Sequence, residues 1–249
     1  MSRRAAALVI GNEILTGKVV EANLPLLART LFELGIRFER VVICRDDLET
    51  IARDLDALRA SHDVVFTSGG VGPTHDDVTI PAVARAFGVP LRRDEELARR
   101  IRDHFGEATT EGHLRMADVP TGGALLTNER VHWPVLAMGN VYVMPGVPEI
   151  FARKLEVVTE HLGKSAPYVS AAIFTRCDEG AIAALLERVE REHGVQVGSY
   201  PRFDDADHSV KITFDGTEAA KVERALEACL AEIDPSLIVR VNHAGETAA

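Results

Sequence analysis

The chain has 249 residues, 46% hydrophobic and 27% charged, and its 38 acidic against 28 basic side chains leave a net charge of −10. That length holds one large domain, or a medium domain with a smaller partner, and the apolar fraction is enough for a sizeable core. The acidic balance excludes a broad nucleic-acid surface, which needs clustered Lys and Arg, but it leaves a local basic pocket open.

Arg3 and Arg4 precede an apolar run in the manner of a secretory signal. The run ends at Gly11-Asn12-Glu13, after about six residues, too short for a signal and far too short to cross a bilayer. Ala5 to Ile10 therefore reads as a strand covered on both faces. A helix follows, with Asn23 as its cap, Pro25 in its first turn, Leu24, Leu27, Leu31 and Leu34 at helical spacing and Gly35 at its end. Phe38 to Cys44 is a second strand, Leu48 to Ala60 a second helix, and Val64 to Ser68 a third strand. Thr79 then caps a helix that ends at Gly88. Strands alternating with helices imply a parallel sheet whose ligands bind at the carboxyl ends of the strands.

Asp94 to Phe105 is predicted helical, with a short helix near Met116. A hairpin over Leu136 to Val143 turns at Gly139-Asn140, and a helix follows MPGVPEIF to about His161. Gly163 to Pro167 is the expected linker between residues 1–163 and 168–243. Beyond it the pattern is β-α-β-β-α-β, a split βαβ unit with an acidic hairpin at Phe203 to Asp207 and a disordered tail from Ala244. It lacks the basic GxxG loop of an RNA-binding KH module. Cys44, Cys177 and Cys229 have neither metal-ligand spacing nor an even disulfide set. They read as buried thiols of a cytoplasmic protein.

The chemistry concentrates in TSGGVGPTHDDVT, Thr67 to Thr79. Gly69, Gly70 and Gly72 let backbone amides approach a phosphate, and Thr67, Ser68 and Thr74 add hydroxyl donors. Asp76 and Asp77 would repel that anion unless a divalent cation sits between, with Glu13 of the neighbouring strand end completing the site. Asn12 is placed to bond a ring or a ribose, His75 lies in the loop, and Asp46 and Asp47 follow the second strand. Pro145, Gly146 and Pro148 form a rigid turn leading to Glu149 at a helix start. Arg115 and Lys18 are candidate cations for a diphosphate, whereas His104, His113 and His132 show no ligand spacing. No nucleophile elbow, Walker loop or dinucleotide fingerprint is present.

At IGNEILTGKVVEAN, LFELGI, ICRDDLETI, TSGGVGPTHDDVT, RMADVP and NVYVMPGVPEIF the chain resembles the molybdopterin-binding-like superfamily. Within it, the chain resembles the N-terminal domain of competence/damage-inducible protein A and the corresponding domain of eukaryotic FAD synthase. The resemblance implies a three-layer MogA-like α/β domain with a mostly parallel sheet, a small C-terminal α+β domain, and a homo-oligomer, dimer or trimer. It also implies a molybdopterin or nucleotide pocket at the glycine loop that includes Asn23. Asp46 and Asp77 match the functional aspartates of the molybdopterin-processing members.

Asn12 departs from the Asp or Thr of many relatives, while Val71 and His75 move the reading from molybdopterin handling toward dinucleotide hydrolysis. No amidohydrolase or adenylyl-transfer segment follows, so neither nucleotide deamidation nor FAD synthesis is expected. The leading expectation is a diphosphatase acting on ADP-ribose or FAD with Mg2+, Mn2+ or Co2+, and K+ as a further ion. Asp76, Asp77 and Glu13 would hold the metal. A binding protein without catalysis is the alternative, and an oligomeric scaffold a third. A small phosphorylated molecule is the expected partner, with neither nucleic acid nor membrane.

Overall fold

The computed structural model describes residues 3–131, 133–163, 166–202 and 207–245. The chain divides into two units, Met1–Ser165 and Ala166–Ala249. The expected linker falls at that boundary, with Lys164 and Ser165 outside the described residues, as are His132, most of the acidic hairpin and the last four residues.

The first unit runs β1 (Arg4–Ile10), α1 (Asn12–Leu15), α2 (Asn23–Glu33), β2 (Arg37–Cys44), α3 (Leu48–Ser61), β3 (Val64–Ser68) and α4 (Thr79–Ala86). It continues through β4 (Leu91–Arg93), α5 (Glu95–Phe105), α6 (Glu111–Arg115), β5 (Asp118–Pro120), β6 (Ala124–Leu126), β7 (Val135–Met138), β8 (Val141–Met144) and α7 (Pro148–Leu162). The six-stranded sheet has the order β2-β1-β3-β8-β7-β6. Its first four strands are parallel, β7 runs antiparallel to β8, and β6 runs antiparallel to β7.

Alternate residues of β1 explain its continuous apolar run. Ala6, Leu8 and Ile10 pack with Ile51, Leu55, Val83 and Ile101 of α3, α4 and α5, while Ala5 and Ala7 pack with Leu27, Leu31, Phe151 and Leu155 of α2 and α7. A strand buried on both faces at period two is what a three-layer α/β sandwich requires. Asp47 caps α3 through Thr50 N at 3.0 Å, and Asp94 caps α5 through Leu97 N at 3.1 Å. The two-stranded β4/β5 pair stands apart from the main sheet.

Two caps read from sequence are corrected. Glu21, not Asn23, caps α2: its carboxylate accepts from Asn23 N and Leu24 N, each at 2.9 Å. Thr79 does not cap α4, because its Oγ1 donates 2.9 Å to the Gly69 carbonyl. In both cases a tertiary partner takes the side chain that local statistics assign to the helix end.

The second unit runs β9 (Val169–Thr175), α8 (Glu179–His193), β10 (Gln196–Pro201), β11 (Val210–Gly216), α9 (Ala219–Leu230) and β12 (Ile238–Asn242). Its antiparallel sheet has the order β10-β11-β9-β12. Ile173, Ile212 and Phe214 pack against Ile182, Leu186, Val222 and Leu226 of the two helices. This is the split βαβ arrangement expected. All three cysteines are buried, and burial pushes the Cys44 and Cys229 thiols up to about 12. Among the described residues no helix is long and apolar enough to cross a membrane.

Candidate functional site

β1, β3 and β8 run parallel, so their carboxyl ends open on one side of the sheet, and the loops after them enclose a cavity of about 670 Å3. Glu13 from α1, Asn23 from α2, the Ser68–Gly72 turn, Asp77 and the Pro145–Pro148 turn all border it. Its apolar rim includes Val20, Trp133, Val147 and Ile150, all partly or well exposed. A second cavity of about 260 Å3 adjoins the loop and is lined by Thr74, His75, Arg115 and Asp118.

The glycine turn is shaped by close backbone approach. Gly69 holds φ +107°, and a Cβ there would strike the Ile10 carbonyl oxygen. Its N–H is committed to the Met144 carbonyl at 3.2 Å, so it joins β3 to β8 and does not face a ligand. The N–H groups of Gly70, Val71 and Gly72 are different: among the described residues none has an acceptor. Three successive amides without a protein acceptor, on a turn that lines the cavity, have the donor capacity to bind an anion.

The hydroxyls expected to face the ligand are engaged internally. Thr67 is fully buried and its Oγ1 accepts from Met144 N at 3.3 Å. Ser68 Oγ accepts from Asn23 Nδ2 at 3.0 Å, and Asn23 Nδ2 also donates 2.9 Å to the Gly146 carbonyl. Asn23 therefore braces the glycine turn against the Pro145–Pro148 turn. Thr74 Oγ1 lies within reach of Asp76 Oδ1 at 2.7 Å and of Asp77 Oδ2, with one proton to donate between them. That hydroxyl holds the Asp76 carboxyl below the usual carboxylate range.

The paired acids diverge. Asp77 borders both cavities, its Oδ2 also accepting from Thr74 N at 2.8 Å. Gly72 makes room for it, since a Cβ there would sit 2.8 Å from Asp77 Oδ2. Asp76 borders neither cavity and is exposed beside the His75 ring. The expected triad Glu13, Asp76 and Asp77 is thus not assembled; among the described residues no three His, Cys, Asp or Glu side chains converge on a metal position. Glu13 and Asp77 remain as two hard oxygen donors that line the same cavity. That donor set suits an ion of the Mg2+ type, which takes one or two carboxylates and fills its remaining positions with phosphate oxygens and water.

Asp46 does not border the cavity; its Oδ2 accepts from Asn12 N at 2.8 Å and so fixes α1, which carries Glu13. Asn12, Glu149 and Lys18 are exposed and border neither cavity. Lys154 was missed by the sequence reading, although it borders both cavities. Its signal was available: Phe151, Lys154, Leu155 and Val158 follow the i, i+3, i+4, i+7 stripe that buries one face of α7.

Residues 6–164 match the family described as probable molybdopterin binding domain, and residues 167–242 match the FAD synthase middle domain. A "CinA-like protein" of Syntrophus aciditrophicus is 36% identical over 81% of this chain and 52% of its own length. A "Probable FAD synthase" of Caenorhabditis briggsae is 29% identical over 93% of this chain and 49% of its own. The chain thus spans about half the length of these curated relatives. The crystal structure of a CinA protein "with unknown function" from Thermoplasma acidophilum superposes with TM-score 0.60 at 31% identity, covering 65% of this chain and 99% of that one.

Proposed function

We propose, on the premise that this chain belongs to the probable molybdopterin-binding domain family over residues 6–164, that it is a metal-dependent nucleotide diphosphatase acting on ADP-ribose or FAD. The carrying observation is the run of acceptor-free amides at Gly70, Val71 and Gly72 on a turn that lines one cavity together with Asp77 and Glu13. The amides bind the diphosphate oxygens, where preorganised donors cost no rearrangement as charge develops. Glu13 and Asp77 would hold a divalent cation, Mg2+, Mn2+ or Co2+. When bound, the cation polarises a phosphoryl oxygen and lowers the pKa of an attacking water. Thr74 fixes the Asp77 carboxylate in its orientation, and Asp46 positions Glu13 through Asn12.

A second reading is a molybdopterin- or nucleotide-binding protein without catalysis, supported by the engagement of the Thr67 and Ser68 hydroxyls within the fold, which leaves amide donors for binding. The test is to incubate the full chain with ADP-ribose or FAD and each metal and to measure AMP. The diphosphatase should release AMP, and Asp77→Ala should lower turnover by about 100-fold or more. A ligand-induced rise in melting temperature with no AMP would leave only the binder.

A further inference from the structure

Val71, Gly72, Asp77, Met116, Trp133 and Lys154 form the wall common to the two cavities, and Lys154 is the one cation among these six. Lys154 is 7% exposed. Its Nζ donates a single hydrogen bond, 2.8 Å to the Pro134 carbonyl, and among the described residues no carboxylate pairs with it. Two of its three donors are therefore unused, in a place where an uncompensated charge is costly. Burial, with no opposing charge, lowers the ammonium to about 8. A methionine would fill the same position between Phe151 and Val158 without that cost. An ammonium kept there makes sense where a ligand brings the missing negative charge.

We propose that Lys154 anchors the anionic bridge of a two-armed phosphate ester, one arm in each cavity, with the bridge seated on the common wall beside the Gly72 amide. The larger cavity, with Trp133, Val20 and Ile150 on its sides, accepts a planar heterocycle. The smaller, with His75, Arg115 and Asp118, accepts a hydroxyl-rich arm such as a sugar. This rests on the phosphorylated-ligand part of the proposed function but not on bond cleavage.

Calorimetry on the full chain in EDTA, where no metal-dependent cleavage occurs, tests it with ADP-ribose, inorganic pyrophosphate and adenosine as probes. Lys154→Met should weaken ADP-ribose and pyrophosphate by about tenfold or more and leave adenosine within about twofold, while Lys154→Arg retains most of the affinity. ADP-ribose affinity of the wild type should fall as pH rises through about 8, because the ammonium then loses its proton, and should stay flat in Lys154→Met. Glu13, Glu21, His75, Asp77, Arg115 and Asp118 border the same cavities and persist in that variant, so a fall of the same size there is theirs and overturns the proposal.

Equal binding of ADP-ribose and pyrophosphate by wild type and Lys154→Met overturns the proposal. So does a parallel loss of adenosine, which marks a structural lysine, or a wild type that binds no probe. If Lys154→Met does not fold, a wild-type ADP-ribose affinity flat between about pH 7 and 9.5 overturns it. AMP release, assayed separately with metal, reports the diphosphatase reading: binding without cleavage removes that reading and leaves Lys154 in place.

Discussion

The strand ends of the first unit and the antiparallel sheet of the second treat their backbone polar groups in opposite ways. Along β10, β11 and β9, neighbouring strands stay in unbroken register, Gln196–Pro201 against Val210–Asp215 and onward to Ser170–Thr175, so the ladder consumes the donors. At the carboxyl ends of β1 and β3 the parallel ladder stops while the chain must still turn, and Gly70, Val71 and Gly72 keep N–H groups with no internal acceptor. A parallel sheet leaves this gap because its connections are crossovers and not tight hairpins. Ligand chemistry is accordingly sought in the first unit.

A glycine from each region turns this comparison into measurements. Gly69 has φ +107° and faces the Ile10 carbonyl, so Gly69→Val meets both a forbidden conformation and immovable backbone. It should destabilise the first unit by about 3 kcal/mol or more, read by chemical denaturation, and abolish ligand-induced stabilisation. A variant as stable as the wild type would mean that the turn is free to relax, and the contrast with the second unit would collapse.

The layers, most elements and the glycine loop that borders the cavity were legible in the sequence, because hydrophobic period and glycine-rich turns are local signals; the two caps read from it, Asn23 and Thr79, were not, because distant partners take those side chains. β4 and β5 were not: three residues carry no measurable period, and they exist only by pairing with each other. Asp76 and Asp77 are indistinguishable as a string; their divergence depends on Thr74 and on the space left by Gly72. The hydroxyls of Thr67 and Ser68 looked like ligand donors because their partners, Met144 and Asn23, lie far away in sequence. Lys154 carried the right spacing, but a lysine on an amphipathic helix reads by default as solvent-facing.

Asn23 sharpens the comparison at a smaller scale. Its Nδ2 joins two loops from different strands, so Asn23→Ala removes the part-buried bond to the Gly146 carbonyl and leaves the buried Ser68 hydroxyl without that donor. The expected loss is about 1–3 kcal/mol in unfolding free energy. Ligand affinity should fall with it, since the two turns it braces border the cavity. A loss of stability with unchanged affinity would show that the turns hold their positions without the brace, leaving the loop backbone alone responsible for the site.

The smallest effect is expected at the matching glycine of the second unit. Gly194 ends α8 at φ +62°, in the left-handed region, but a Cβ there meets nothing within 4 Å. Gly194→Ala therefore incurs the conformational penalty alone, about 1 kcal/mol, without a clash. Gly69 and Gly194 thus share a positive φ and differ in what surrounds them, so Gly69→Ala measured beside Gly194→Ala gives the ratio that reports how much of the Gly69 effect is close approach. Comparable losses would assign the Gly69 effect to φ alone, and the tight contact with Ile10 would not be what shapes the turn.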